Sequence, residues 1–186
     1  TAQIKMAQRR IIESQKVPQI FKMALNEIKE GRKVIIFAEN VNTSDFSKTL
    51  INALLEDATL MASLRQEAIK MGVTTKAKQE AFIQEVITRE LELQGLNDLR
   101  GTLSYLNELF EEYFDSEYNK ANKDQLAPKA SKVSKIYGDG DVQKEITKFQ
   151  NGEALIALVT PGKGGVGVSL DDVTGDWPRT IIMATP

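Results

Sequence analysis

The chain contains neither cysteine nor histidine. Without thiols there is no disulfide scaffold, thiolate zinc site or Cys nucleophile, and without imidazole there is no Ser-His-Asp triad or histidine-bound metal. No stretch approaches the roughly 18 to 20 consecutive apolar residues of a membrane span, and the opening TAQIKMAQRR lacks the apolar core of a signal peptide. A soluble, intracellular protein without membrane association is expected. Neither sign of charge dominates: 24 Lys and Arg stand against 26 Asp and Glu, a formal net charge of -2. This excludes a basic nucleic-acid coat and an acidic tail, so any binding face is local. What is present is a 186-residue chain, 41% hydrophobic, long enough for one domain, or one domain with a large insertion, around a real core.

Apolar spacing organises the first part. Ile11, Ile12, Val17, Ile20, Phe21, Ala24, Leu25 and Ile28 recur at helical intervals, with Pro18 expected to break or restart the helix. Gly31 stands at a natural helix stop, and KVIIFAEN then runs from Val34 to Phe37 as a buried strand. Thr43, Ser44 and Asp45 are candidate N-caps for a helix that places Phe46, Leu50, Ile51, Leu54 and Leu55 on one face. Three amphipathic helices follow, over 60–71, 75–94 and 97–119, with Gly72 and Gly95 as punctuation. NKANKDQLAPKASK loses this periodicity and reads as a loop or linker. Alternation then resumes: VSKIYGD as a short strand, DVQKEITKFQNG as a helix stopped by Gly152, and ALIALVT and RTIIMATP as buried strands. Apolar strands separated by helices argue for an α/β fold with a parallel sheet flanked by helices. The expected division is an α/β domain over 1–55 and 128–186, with a largely helical insertion over 56–127. That insertion carries 14 acidic and 8 basic residues, a balance that disfavours a direct grip on phosphates.

The densest signal is TPGKGGVGVSLDD, Thr160 to Asp172, following a buried strand. Glycine lets backbone amides approach a phosphate closely. Lys163, Gly164, Gly165, Val166 and Gly167 resemble the opening of the deviant Walker motif of partitioning ATPases. That motif needs Lys directly before its Ser or Thr, and here Val168 precedes Ser169. A glycine turn between a strand and its crossover is a purely structural alternative.

A third reading uses the whole tail. Gly164, Gly165, Gly167, Ser169, Leu170, Asp172, Thr174, Gly175, Pro178 and Arg179 resemble motif V of superfamily 2 helicases and translocases, in the form seen in phage, viral and strawberry-notch-like members. KVIIFAEN resembles motif IV, and Gln143, Phe149 and Gly152 resemble the Q…F-x-x-G helix that precedes motif V. The resemblance covers about 1–55 and 130–186 and leaves the helical insertion unexplained. It implies a RecA-like C-terminal domain that faces an N-terminal RecA-like domain across an ATP cleft, with single-stranded DNA or RNA crossing both.

Carried onto this sequence, the resemblance implies nucleic-acid backbone contacts from Asn40, Thr43, Ser44, Thr160, Gly162, Lys163, Gly164 and Gly165, and an ATP-cleft position for Gly167, Ser169 and Asp172. It implies no catalytic residue and no metal ligand here. The chain has no G-x-x-x-x-G-K-[ST] and no acidic Walker B box, and Pro186 precedes the place of the motif VI arginines. ATP and Mg²⁺ are therefore expected in a complete protein and not on this chain alone, which is expected to be inactive in hydrolysis. The competing class is a non-enzymatic RecA-like adaptor that binds a protein partner through the helical insertion.

Overall fold

A computed structural model describes residues 2–39, 46–94, 96, 101–121, 132–164, 169–172, 175 and 177–184. The chain divides into two compact units, one formed by 1–12 with 42–100 and the other by 13–41 with 101–186.

The second unit is an α/β layer structure. Helix α1 (Ala2–Gln15), whose residues 2–12 belong to the other unit, ends before Lys16, and α2 (Val17–Lys29) restarts with Pro18 in its first turn, where the missing N–H has no helical partner to lose. Gly31, at φ 78°, closes α2: its amide and that of Arg32 donate back to the carbonyls of Ile28 and Glu27. The four strands are β1 (Lys33–Phe37), β2 (Val133–Ile136), β3 (Ile156–Val159) and β4 (Arg179–Met183), all parallel in the order β2-β3-β1-β4. An α/β fold with a parallel sheet was expected and is what the chain forms.

Strand alternation sends side chains to two covered faces. Val34, Ile36, Val133, Ile156, Leu158 and Ile182 pack with Val17, Ile20 and Ala24 of α2 and with Leu103, Leu106 and Phe110 of α6 (Thr102–Ala121). Ile35, Ile136, Ala157 and Val159 pack with Phe149 of α7 (Val142–Gln150) and with Leu170. Asp141 caps α7 through the Lys144 amide at 3.1 Å, and Gly152, at φ 81°, ends its C-terminal turn.

One strand corrects the reading of an all-buried sheet. The side chains of Ile181 and Met183 are 60% and 59% exposed, although RTIIM reads as core. Among the described strands β4 pairs only with β1, and its register sets Ile181 beside Ile35 and Met183 beside Phe37, on the face that α7 covers elsewhere.

The other unit is helical. It holds residues 2–12 of α1 with α3 (Phe46–Leu55), α4 (Ala58–Lys70) and α5 (Lys76–Leu93). Its core gathers Leu50, Leu64, Ile83, Ile87 and Leu91. Asp57 caps α4 by accepting from the amides of Thr59 and Leu60 at 3.0 and 2.9 Å. The caps expected for α3, Thr43, Ser44 and Asp45, and most of the linker read in NKANKDQLAPKASK lie outside the described residues.

The observed division differs from the expected one at 55/56 and 127/128. Two helices cause this: Leu50 of α3 is buried with Leu64, Ile83 and Ile87, so α3 joins the helical unit, whereas Leu103, Leu106 and Phe110 of α6 are completely buried against the sheet, so α6 belongs to the α/β core. Charge moves with it. The helical unit carries 9 acidic and 10 basic residues and the α/β unit 17 acidic and 14 basic. The acidity assigned to a helical insertion resides in α6, at Glu108, Glu111, Glu112, Asp115 and Glu117.

Candidate functional site

The glycine segment leaves the carboxyl end of β3, an interior strand flanked by β2 and β1. Thr160, half-buried, donates its amide to the Ile136 carbonyl at 3.3 Å. The next four residues form a single helical turn, α8 (Pro161–Gly164), in which Gly162 is exposed and Lys163 and Gly164 are the last two residues. The end of β1 lies alongside, since the Ala38 amide donates to the Val159 carbonyl at 3.1 Å, and exposed Glu39 follows. Ligands of open α/β sheets gather at this edge, outside the carboxyl ends of adjacent strands whose connections diverge. Asn40, Thr43, Ser44, Gly165 and Gly167, all expected to contribute, lie outside the described residues.

The far end of the segment is held elsewhere. Gln150, the last residue of α7, donates its side-chain Nε2 to the carbonyls of Ser169 at 2.8 Å and Asp171 at 3.1 Å. Arg179, the first residue of β4, donates Nη2 to Gln150 Oε1 at 3.1 Å, Nε to the Leu170 carbonyl at 3.2 Å and Nη1 to the Trp177 carbonyl. The Asp172 carboxylate accepts from the amides of Gly175 at 2.9 Å and Trp177 at 3.1 Å, and it lies 3.9 Å from Arg179 Nη1. Asp172 thus closes the turn that leads into β4.

Lys33 completes this clasp from the start of β1, in register with Arg179. Its side chain is 1% exposed and its ammonium donates to the carbonyls of Phe149 at 2.6 Å and Gln150 at 3.5 Å. The Phe149 carbonyl also accepts from the Gly152 amide at 3.3 Å, and a cation at this C-terminus complements the helix dipole. The Phe149 ring lies 5.2 Å from Lys33 Nζ and 5.2 Å from the Arg179 guanidinium carbon, and Trp177 lies 5.7 Å from Lys33 Nζ. Burial, reinforced by the charge of Arg179 and opposed by Asp172, pushes the Lys33 ammonium below the usual lysine range.

The described residues of the two expected groups lie at different places. Thr160 and Gly162 stand at the carboxyl end of β3, whereas Ser169 and Asp172 stand by the C-terminus of α7, near the amino ends of β1 and β4. The Ser169 side chain is exposed, and both Asp172 oxygens are engaged within their own turn. Gln143, read as part of a motif, is exposed on α7. Sequence reasoning passed over Lys33, Gln150 and Trp177. The available signal was Lys33 itself, a charged residue directly preceding an apolar run.

No family model, curated protein or solved structure matches this chain. Among the described residues no three His, Cys, Asp or Glu side chains gather to hold a metal ion, and no helix is long and apolar enough to cross a membrane.

Proposed function

We propose that this chain is the second RecA-like domain of a nucleic-acid-dependent ATPase motor, a helicase or translocase, and that it grips the DNA or RNA backbone through its glycine segment. The observation that carries the reading is the placement of TPGKG, Thr160 to Gly164, at the carboxyl end of an interior parallel strand, beside the end of β1. That is where an α/β sheet offers a ligand open backbone amides. The motif order supports it: a motif IV-like strand, a Q…F-x-x-G-like helix and a motif V-like glycine segment occur in the sequence of the superfamily 2 pattern.

Thr160 and the amides of 162–165 contact phosphates in this reading, with Lys163 adding charge. Such contacts position the protein on the strand and carry no base information. ATP and Mg²⁺ are held chiefly by an N-terminal RecA-like domain of the same protein; Ser169 and Asp172, expected at the ATP cleft, stand near the amino ends of β1 and β4 and are left out of this proposal. The helical unit, close to neutral with 9 acidic and 10 basic residues, has no charge barrier against a passing strand. It serves as a strand-guiding arm or a protein-binding surface.

Fluorescence anisotropy with labelled single-stranded DNA and RNA tests the reading. Lys163→Ala weakens binding of all sequences alike, and Lys144→Ala, on exposed α7 surface, leaves it unchanged. Equal effects of the two substitutions would defeat the assignment of the site.

A further inference from the structure

We propose that Gln150 is a positioning residue that fixes the carboxyl end of the glycine segment, and that Arg179 sets the direction in which it does so. The binding consequence rests on the function proposed above; the tether itself does not.

The amide of Gln150 is fully committed. Its nitrogen donates to the Ser169 and Asp171 carbonyls and its oxygen accepts from Arg179. Arg is a donor only, so Oε1 must face the guanidinium, and Nε2 is then compelled to face the two carbonyls; the flipped amide would lose all three bonds. Arg179 is itself anchored, with its guanidinium over the Phe149 ring at 5.2 Å and Nε on the Leu170 carbonyl at 3.2 Å. Three successive residues of the segment, Ser169, Leu170 and Asp171, thus have their carbonyls held by two side chains. At the other end the chain is fixed by Thr160 on the Ile136 carbonyl. Fixing both ends lowers the conformational freedom that a ligand must remove.

Gln150→Glu separates positioning from folding. A carboxylate keeps an acceptor for Arg179 with charge assistance, but presents oxygen to the carbonyls of Ser169 and Asp171 and loses both donors. Gln150→Met, which keeps chain length without an amide, serves as the second variant should the first fail to fold. Urea midpoints read by Trp177 emission identify the folded variant.

Two readouts decide. Endoproteinase Lys-C cleavage after Lys163, at low protease, follows the open population of the segment, and loss of two hydrogen bonds raises that rate about tenfold. Cleavage after Lys70 on α4 stays unchanged. In anisotropy with a labelled single-stranded oligonucleotide, the folded variant binds more weakly, and combining it with Lys163→Ala adds little, because both act on one contact. An unaltered rate at Lys163 in a folded variant overturns the tether. Full additivity with Lys163→Ala overturns its role in binding. If the wild-type chain binds no nucleic acid, the function proposed above falls, and the cleavage rates alone decide whether Gln150 holds the segment.

Discussion

Replacing Phe149 by leucine tests how the α/β unit is held together at the amino ends of its strands. Phe149 is completely buried between α7 and the sheet, and its ring carries two cations, Lys33 Nζ and the Arg179 guanidinium, each 5.2 Å away. Leucine keeps most of the apolar burial, so repacking costs less than about 1.5 kcal/mol. The ring is lost, and with it two partly desolvated cation–π contacts worth about 0.5 to 2 kcal/mol each. The expected total is about 2 to 4 kcal/mol. Alanine adds a cavity and costs about 3 to 5 kcal/mol before either cation is counted. Trp177, the single tryptophan, sits in the clasp, so its emission reports unfolding of this unit in urea. With a slope of about 1 to 3 kcal/mol per molar for a domain of this size, Phe149→Leu lowers the midpoint by about 0.7 M or more. Phe149→Leu and Arg179→Met measured singly and together should couple by about 0.5 kcal/mol or more. Strict additivity, or a cost for Phe149→Leu below about 1 kcal/mol, would refute the account of the ring as a seat for two cations.

Other consequences concern boundaries, pH and backbone. Replacing 42–100 by a flexible linker of about ten residues leaves the α/β unit able to unfold cooperatively by Trp177 emission, whereas removing 58–127 strips Leu103, Leu106 and Phe110 from its core; equal behaviour of the two deletions would argue against the observed division. Burial, with the charges of Glu111 and Glu145, pushes the Tyr137 phenol up to about 12. Because the folded value lies above the ordinary one near 10, its contribution is present below about pH 10 and is lost as pH rises toward 12. A shift of two units caps this at about 3 kcal/mol, and screening at the solvent-facing side of the ring brings it to about 1 kcal/mol. Urea midpoints of wild type and Tyr137→Phe should diverge over that window, and parallel curves would count against it; Lys33 discharge is common to both proteins and cancels. Gly152→Ala destabilises by about 1 to 2 kcal/mol through its positive φ, since the added Cβ meets nothing nearer than Lys33 Nζ at 4.0 Å; an unchanged midpoint would contradict this.

Most elements were legible because their signals are local. KVIIF, VSKI, IALV and RTIIM are short apolar runs bounded by turns, Pro18 divides two helices, and Gly31 and Gly152 end them with positive φ. What the sequence could not convey is which core a helix serves. The periodicity of Leu103, Leu106 and Phe110 defines an apolar face but not the surface it meets, so α6 was grouped with its helical neighbours. Edge position is equally silent: Ile181 and Met183 read as buried because exposure of a strand depends on what pairs and packs beside it. The clasp was hidden for a related reason. Lys33, Gln150 and Arg179 are far apart in the chain, and a polar residue carries no periodic signature of the carbonyl it will bind.

The central claim is that the glycine segment at the end of β3 grips a nucleic-acid backbone. Its most direct test is the salt dependence of single-stranded oligonucleotide binding by the wild-type chain and by Lys163→Ala. Each neutralised phosphate on a single strand contributes about 0.7 to the slope of log K against log salt. The account predicts a linear fall in affinity with salt, and a slope about 0.7 shallower in Lys163→Ala. No measurable binding at low salt, or two lines of equal slope, would contradict it.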